Sequence, residues 1–479
     1  MDALIVDASA QIELLNSKRI SASELLKLAI DRVQALNPRL NAIVAQDIEP
    51  ALRKAEKIDS RRIKDEHLGA LAGLPMTVKD TFDVENLPAS AGMEELLHRT
   101  ASDAVVVKHV KEEGAIVFGK TNTPVKAGDW QTFNALYGTT NNPWDQKRTP
   151  GGSSGGSAVA VATGMASLEI GADIAGSLRI PASFCGVFAH KPTYGVVSLR
   201  GLVPPPGSIV DMDMAVVGPI ARSARDLTLL FSVISQTPRH EPAEDRLRNL
   251  RVALWHEESL FALDPQVDSR ITTLGRKLAE LGAIVEEIGS PVDCERLLSA
   301  YATLLFSITY ADMPAAQRAA FEMLRWPAKL ASSLGSKPIS WAHGIMGATA
   351  RHSEWLKANE IRAVMGRQIQ SLFAKYDVIL APVAAVCAFP HDHRPALMRK
   401  LKCSDDRSLS YLELMNWVAL PTVLELPATT MPAGLTEAGL PVGMQIIGPH
   451  GSDTRTLGIA RAIEQEIEGF SAPPIASIT

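Results

Sequence analysis

Short runs of apolar residues alternate along the chain with stretches of helical periodicity. Apolar runs bounded by turn residues predict buried strands, and they lie at 71–78, 115–119, 187–191, 250–255, 283–286, 377–380 and 442–447. Helices are predicted at 21–36, 103–113, 157–165 and 223–234. Ser21 with Glu24 and Ser223 with Asp226 supply N-terminal capping signals for two of these helices. Such alternation predicts an α/β sheet that is covered on both faces by helices.

Residues 295–375 have helical patches but a less regular pattern. They contain Trp326, Trp341 and Trp355, which we expect to be core residues rather than ligand contacts. Connecting segments often carry specificity, so we also expect part of this region to cover the functional site.

Composition supports one large globular α/β domain spanning residues 1–479. Hydrophobic residues make up 46% of the chain and charged residues 21%, which is typical of globular proteins. The net charge of -5 provides no basic field for nucleic acid.

No apolar run is long enough for a membrane span, and the N-terminus has no pattern of a secretory signal. The four cysteines are dispersed, so we expect reduced thiols, no metal and a cytoplasmic location.

A glycine- and serine-rich region at 151–186 contains the strongest chemical signal. Ser153 and Ser177 lie in clusters where the backbone is free to expose a hydroxyl and turn amide groups toward a ligand. A serine hydroxyl needs a base to become a nucleophile. The best candidate base is Lys79, at the end of the predicted strand 71–78. Together these residues suggest amide hydrolysis.

Three other interpretations of the cluster fit less well. A phosphate-binding loop requires Lys followed by Ser or Thr after the second glycine, and this chain has Ser157 and Ala158 there. A nucleophile elbow centred on Ser154 requires a preceding strand, whereas residues 141–150 resemble a loop. A flexible linker is disfavoured because apolar elements flank the cluster.

The segments VKD (78–80), GGSSGGS (151–157) and GADIAGSLRIP (171–181) resemble those of the amidase signature family. The resemblance covers most of the chain and is densest from 74 to 220. It implies a single large domain with a mixed, mostly parallel twisted β-sheet sandwiched between α-helices. It also implies a catalytic core at about 70–220 and a helical substrate-covering region at about 295–375.

By position, the resemblance implies that Ser177 is the acylated nucleophile, that Ser153 is a bridging serine on a cis peptide, and that Lys79 is the base. The backbone amides of Ile174, Ala175, Gly176 and Ser177 would form the oxyanion hole. Ser154, Asp173 and Arg179 would hold the loop by polar contacts. Burial can keep a lysine uncharged, so a proton could pass from Ser177 through Ser153 to Lys79.

Ala175 departs from the family pattern, which usually has glycine at this position. If the backbone there requires a positive φ, the methyl group would be strained. If it does not, the alanine only stiffens the loop, and this second interpretation is favoured. Trp130, Phe133 and Leu202 are candidates to line an apolar substrate pocket, although a packing role stays open for each.

The leading hypothesis is a cofactor-free amidohydrolase whose partners are a small-molecule amide and water, with a homodimer as one option for its assembly. The amide would be small, aryl or hydrophobic. One alternative is the glutaminase subunit of a tRNA-dependent amidotransferase, which the apolar, proline-rich run after Gly201 disfavours. Another is a non-catalytic binding protein on the same scaffold, which the intact Lys79, Ser153 and Ser177 disfavour.

Overall fold

The computed structural model describes residues 2–204, 208–238, 247–335 and 339–477. Pro205 and Pro206, in the run after Gly201, lie outside the described residues. The α-helices within these ranges are α1 (Ala8–Asn16), α2 (Ala22–Leu40), α3 (Ile48–Ile63), α4 (Val105–Glu112), α5 (Gly155–Ala162), α6 (Arg179–Cys185), α7 (Ala224–Ser235), α8 (Pro265–Glu280), α9 (Cys294–Thr309), α10 (Ala315–Ser333), α11 (Trp341–Ala348), α12 (His352–Phe373), α13 (Asn416–Val423) and α14 (Asp453–Glu466).

The β-strands are β1 (Ile43–Gln46), β2 (Pro75–Lys79), β3 (Ile116–Thr121), β4 (Phe133–Asn134), β5 (Gly138–Thr139), β6 (Leu168–Asp173), β7 (Phe188–Lys191), β8 (Val216–Ala221), β9 (Arg251–Leu254), β10 (Ile284–Glu287), β11 (Val378–Pro382), β12 (Lys400–Lys402), β13 (Ser408–Ser410), β14 (Ala428–Leu435) and β15 (Pro441–Ile447). Short 3-10 helices span Glu94–Leu96, Val125–Ala127, Ala396–Met398, Tyr411–Met415 and Pro474–Ser477.

Eleven strands form one large mixed sheet in the order β1-β3-β2-β6-β8-β7-β14-β15-β11-β9-β10. Parallel pairings join β3 to β2, β2 to β6, β11 to β9 and β9 to β10. The six other pairings in this sheet are antiparallel. The expected single α/β domain with a mixed sheet is therefore confirmed, and its parallel pairs lie toward the two ends while its centre is antiparallel.

Apolar side chains cover both faces of the sheet. Along β11, Val378 and Leu380 belong to one hydrophobic cluster, while Ile379 and Ala381 belong to another. Successive side chains of a strand point to opposite faces, so at β11 the two clusters lie on opposite sides of the sheet. At β7 the first cluster covers both faces, since it includes the successive residues Phe188 and Ala189. The first contains the apolar faces of α2, α4, α7 and α14, and the second contains those of α9 and α12. This arrangement confirms the predicted layering.

All seven predicted strands are present, with shifted boundaries at several ends. The capping signals are also confirmed, because the Ser21 and Ser223 side chains accept hydrogen bonds from the Glu24 and Asp226 amides. Among the eleven strands of the large sheet, the sequence pattern missed β1, β6, β8 and β14. Strands β6, β8 and β14 are largely buried and therefore lack polar alternation, and each contains a glycine that obscured the pattern.

The described residues of 295–335 and 339–375 are largely helical, as expected, but the tryptophans there are not uniformly core residues. Trp326 is 74% exposed and Trp341 is 43% exposed, so the expectation of burial is wrong for both. Only Arg325 and Ala328 of α10 are buried, because this helix packs at the periphery and turns most of its surface outward. Trp355 is half-buried against the second hydrophobic cluster.

None of the helices in the described part of the chain combines the length and apolar character needed to cross a membrane.

We predict that Gly218→Ala destabilises the centre of the sheet. A methyl group at Gly218 would lie 2.0 Å from the backbone oxygen of His190 on the neighbouring strand β7, so backbone must move to accommodate it. The free energy of unfolding should fall by about 1–3 kcal/mol, measured by urea denaturation.

Gly344→Ala is the matched control for this substitution. Gly344 lies in α11, and a methyl group there meets no atom within 4 Å. Alanine is favoured over glycine in a helix, so this variant should be as stable as wild type or more so. Equal effects at positions 218 and 344 would contradict the assigned strand packing.

Candidate active site

The lysine and the two serine-rich loops meet at one edge of the sheet. Strands β2 and β6 are adjacent and parallel, so their carboxyl ends lie side by side. Lys79 is the last residue of β2, and β6 leads directly into the loop that carries Ser177. The Ser154 amide donates to the Ser177 backbone oxygen at 3.2 Å. This contact places the GGSSGGS loop against the Ser177 loop.

Lys79 contacts two serine hydroxyls. Its Nζ lies 2.7 Å from Ser153 Oγ and 3.0 Å from Ser154 Oγ. All three side chains are buried, and the Gly152–Ser153 peptide is cis, as the family resemblance implied. The structure thus brings a primary amine into hydrogen-bonding distance of the predicted bridging serine.

Close backbone packing explains the glycine at position 152. A Cβ atom there would lie 2.5 Å from the Asp129 backbone oxygen, so a larger residue would displace the 129–131 segment. The Thr123 hydroxyl donates to the Ser153 backbone oxygen at 3.0 Å, and the Thr132 hydroxyl donates to the Gly151 oxygen at 2.8 Å. These contacts fix the loop that carries Ser153.

Burial lowers the pKa of Lys79 to about 7, and the charges of Asp173 and Glu169 only partly oppose that effect. A free lysine has a pKa near 10.4. Desolvation disfavours the ammonium form, and the two nearest partners are uncharged hydroxyls. The site therefore shifts this amine toward its neutral form near physiological pH.

A buried ion pair organises the Ser177 loop. Two guanidinium nitrogens of Arg179 donate to the Asp173 carboxylate, at 3.0 Å each. The same carboxylate accepts from the Gly176 and Leu178 amides at 2.8 and 3.1 Å. Burial acts to raise the pKa of Asp173, but the charge and hydrogen bonds of Arg179 outweigh it and lower that pKa. Ser177 is thus flanked by two amides bound to one carboxylate.

The amides predicted for the oxyanion hole are not equivalent. The Gly176 amide already donates to Asp173, whereas no hydrogen bond within the described chain engages the amides of Ile174, Ala175 and Ser177. Tyr301 donates to the Ile174 oxygen at 3.0 Å, and Trp130 Nε1 donates to the Ala175 oxygen at 2.7 Å. These two bonds set the orientation of the peptide planes in the loop.

Glycine and alanine have distinct roles in this loop. Gly176 has a φ of 88°, a conformation that favours glycine. Ala175 is not among the residues with positive φ. The methyl group at 175 is therefore unstrained, in agreement with the favoured interpretation.

The three candidate pocket residues occupy different surroundings. Trp130 contacts the Ser177 loop directly through its hydrogen bond to Ala175. Phe133 stacks on His393 with a ring separation of 4.0 Å. Leu202 forms a β-bridge with Phe82, three residues beyond Lys79. The structure thus brings Trp130 to the loop, while Phe133 and Leu202 lie on flanking segments.

Sequence reasoning missed a polar group beside Trp130. Arg399 binds the Asp129 carboxylate at 2.7 and 2.8 Å, and the Tyr411 hydroxyl also donates to it. Trp130 packs edge-on against Tyr411, with a centroid distance of 5.4 Å. Arg399 and Tyr411 follow Asp129 by more than 250 residues, and no local signal links them. Tyr301 was missed for the same reason.

Across the ranges that the structure describes, no group of three or more His, Cys, Asp or Glu side chains could hold a metal ion.

Comparison with known proteins places this site in a family. A family model described as Amidase matches residues 24–457. The chain belongs to the amidase family. The predicted resemblance to amidase signature enzymes is thereby confirmed, and this amidase-type protein is an enzyme that acts on carbon–nitrogen amide bonds.

Three similar proteins indicate the breadth of the family. One subunit of the glutamyl-tRNA(Gln) amidotransferase of Moorella thermoacetica is 32% identical, over 98% of each chain. A crystal structure described as an amidase is 28% identical, with a TM-score of 0.79, over 96% of this chain and 99% of that one. The structure of a 6-aminohexanoate cyclic dimer hydrolase with substrate is 27% identical, with a TM-score of 0.79, over 99% and 100%.

We predict that Arg179→Met strongly destabilises the protein. The substitution removes the cation that pairs with Asp173 and leaves a buried carboxylate without its partner. Breaking such a pair costs about 3–5 kcal/mol of unfolding free energy, to be measured by urea denaturation.

Arg276→Met is the control, because Arg276 pairs with Glu280 on the surface at 4.0 Å. Its removal should cost less than about 1 kcal/mol. If the two variants were equally stable, the buried pair could not be what holds the Ser177 loop.

Proposed function

We propose that this amidase hydrolyses a carboxylic amide through an acyl-enzyme on Ser177. Ser177 Oγ forms a bond to the amide carbon while its proton moves through Ser153 to Lys79. The carbon–nitrogen bond then breaks, and the proton passes back along the relay to the leaving amine. Water attacks the resulting ester and releases the acid and free Ser177.

One observation carries this proposal: the buried Lys79 amine lies 2.7 Å from Ser153 Oγ. The adjacent loop after β6 carries the candidate nucleophile Ser177 and backbone amides that make no hydrogen bond within the described chain. Among these, the Ile174, Ala175 and Ser177 amides are the candidates for stabilising the tetrahedral oxyanion. Asp173, Arg179 and Ser154 hold the two loops in place.

The first candidate substrate is a small amide with an apolar or aryl part. Trp130 lies against the Ser177 loop, and Tyr411 packs edge-on against Trp130, so aromatic side chains lie near the candidate nucleophile. Phe133 and Leu202 extend the apolar character on flanking segments. Helix α9 reaches the same loop through Tyr301, which supports a substrate-covering role for part of the 295–375 region.

The second candidate is glutamine hydrolysis within an amidotransferase. Identity of 32% to the Moorella amidotransferase protein over nearly the whole chain supports this second candidate more directly than the first. In that case the amine released is ammonia, and other subunits would be required partners. For the first candidate the partners are the amide and water, with a homodimer as one option.

We also propose a cytoplasmic location and no cofactor. The four cysteines are free thiols, which is typical of a reducing compartment.

Ser177→Ala should abolish both turnover and covalent labelling by a fluorophosphonate probe, because it removes the attacking oxygen. Ser154→Ala should retain a measurable acyl-enzyme, detected by mass spectrometry of the intact protein. Loss of labelling in Ser154→Ala with labelling retained in Ser177→Ala would instead support the nucleophile elbow.

Activity should rise with pH as Lys79 loses its proton. The pKa of Lys79 is lowered to about 7 by burial, so the ammonium form dominates below that pH and cannot accept a proton. The acid limb of kcat/KM should therefore have its midpoint near pH 7 and reach a plateau on the alkaline side. A profile that is flat from about pH 5 to 10 with chemistry rate-limiting would contradict a lysine base.

A hydrolysis screen separates the two substrate classes. The purified chain alone should cleave aryl and short aliphatic amides of varied acyl and amine size under the first candidate. Glutaminase activity that appears only with added amidotransferase subunits would establish the second. Ser177→Ala is the control in both arms.

A further inference from the structure

Tyr301 holds one peptide group of the Ser177 loop from a distant helix. Its hydroxyl donates to the Ile174 oxygen at 3.0 Å, and it lies on α9, 127 residues further along the chain. The Ile174–Ala175 peptide is trans, because the cis peptides of the described chain lie at other positions. In a planar trans peptide the N–H points away from the C=O. The bond to Tyr301 therefore directs the Ala175 amide to the opposite side of this peptide.

Local contacts orient the next two amides of the loop. The Gly176 amide donates to the Asp173 carboxylate at 2.8 Å. The Gly176 oxygen accepts from the Ile180 amide, in the first turn of α6, at 2.8 Å. By the same peptide geometry, this second bond directs the Ser177 amide. Residues within a few positions thus fix both of these amides, whereas the amide before them depends on a distant helix.

The Ala175 amide is available to a substrate. Together with the amides of Ile174 and Ser177, it makes no hydrogen bond within the described chain. Ala175 is half-buried and Ser177 is buried, and buried backbone amides are nearly always hydrogen-bonded in proteins. Backbone amides that point at the developing negative charge are the usual donors of an oxyanion hole. The orientation of the Ala175 amide therefore matters for the reaction.

The surroundings of Tyr301 restrict its movement. Its side chain is fully buried in the second hydrophobic cluster, and α9 packs against α11, α12 and α13. Burial raises the pKa of Tyr301, so the hydroxyl keeps the proton that it donates. Helix α9 belongs to the region expected to cover the substrate, and this bond connects that region to the reacting loop.

We propose that Tyr301 is a positioning residue, whose hydroxyl holds the Ile174–Ala175 peptide so that the Ala175 amide donates to the oxyanion of the substrate. The inference rests on the proposed acyl-enzyme chemistry of Ser177 and names the side chain on which one oxyanion donor depends. Tyr301 acts through this peptide and does not itself touch the reacting atoms.

The test is the rate at which the fluorophosphonate probe labels Tyr301→Phe. In labelling, Ser177 Oγ bonds to phosphorus, fluoride leaves with the electrons of its bond, and the serine proton passes into the relay. The phosphoryl oxygen takes the place of the oxyanion. Phenylalanine keeps the ring and removes only the hydroxyl, so the peptide that it held can turn. The labelling rate constant should fall at least about tenfold, since loss of a complete oxyanion donor costs about 10²–10³ in rate.

Three readouts separate positioning from a structural role. A folding defect would lower the fraction of sites that become labelled, whereas loss of orientation lowers the rate constant at every site. The acid limb of the labelling rate should keep its wild-type midpoint, because the hydrogen bonds of Lys79 stay in place. A probe with sulfur in place of the phosphoryl oxygen should lose less rate than the oxygen probe, since sulfur is a weak acceptor.

Tyr310→Phe is the matched control. Tyr310 is the C-terminal cap residue of the same helix, and its ring packs near Phe306 and Phe321. Removal of its hydroxyl should leave the labelling rate of wild type. In the opposite direction, para-aminophenylalanine at position 301 keeps a donor at the end of the ring and should restore most of the rate that Tyr301→Phe loses.

Three results would overturn the inference. They are an unchanged rate constant in Tyr301→Phe, an equal loss with the oxygen and sulfur probes, and a para-aminophenylalanine variant as slow as Tyr301→Phe. If Tyr301→Phe does not fold, para-methylphenylalanine at position 301 replaces it, because the methyl group fills the volume of the hydroxyl without donating. The same rate loss is then expected, and a wild-type rate contradicts the inference.

Failure of the proposed function gives a different result. A wild-type chain that the probe does not label, or labelling that persists in Ser177→Ala, would reject the Ser177 nucleophile itself. Labelling at Ser177 with the expected acid limb, but at the same rate in Tyr301→Phe, would reject only the role of Tyr301.

Discussion

Burial of one amine at the end of a strand is the constraint on which the site depends. Lys79 ends β2 inside the protein, where its Nζ hydrogen-bonds to two serine hydroxyls and, among the residues described, to no carboxylate. An isolated buried charge is costly, so the environment favours the neutral form that a base requires. The surrounding loops must therefore supply polar partners without supplying a counter-ion.

The second requirement is a rigid loop beside that amine. Asp173 binds two loop amides and Arg179, and Arg179 in turn binds the Val418 backbone oxygen, Thr422 and Gln445. The Ser177 loop is thus tied to α13 and β15 in the last part of the chain. Groups that take part in a reaction must be held within a fraction of an ångström. The buried Asp173–Arg179 pair restrains the Ser177 loop in this way.

Family membership does not by itself fix the substrate of this chain. The edge where β2 and β6 end carries Lys79 and the loop with Ser177, the residues that we propose for the chemistry. The neighbouring group of Trp130, Tyr411 and the Asp129–Arg399 pair joins segments distant in sequence. Relatives of this chain include both a cyclic dimer hydrolase and one subunit of a glutamyl-tRNA(Gln) amidotransferase. Function must therefore be argued from the site rather than from the fold.

Local patterns in the sequence determined the layered α/β fold, seven strands and the helix caps, and they predicted Lys79, Ser153 and Ser177 as the candidate set. These features depend on residues near one another in the chain, such as Ser21 with Glu24. Only the tertiary structure decided that the Gly176 amide is bound by Asp173, that Tyr301 and Trp130 bind the oxygens of the Ser177 loop, and that Arg399 binds Asp129. Those contacts join residues from separate strands and helices, and packing, rather than local propensity, selects which of them meet.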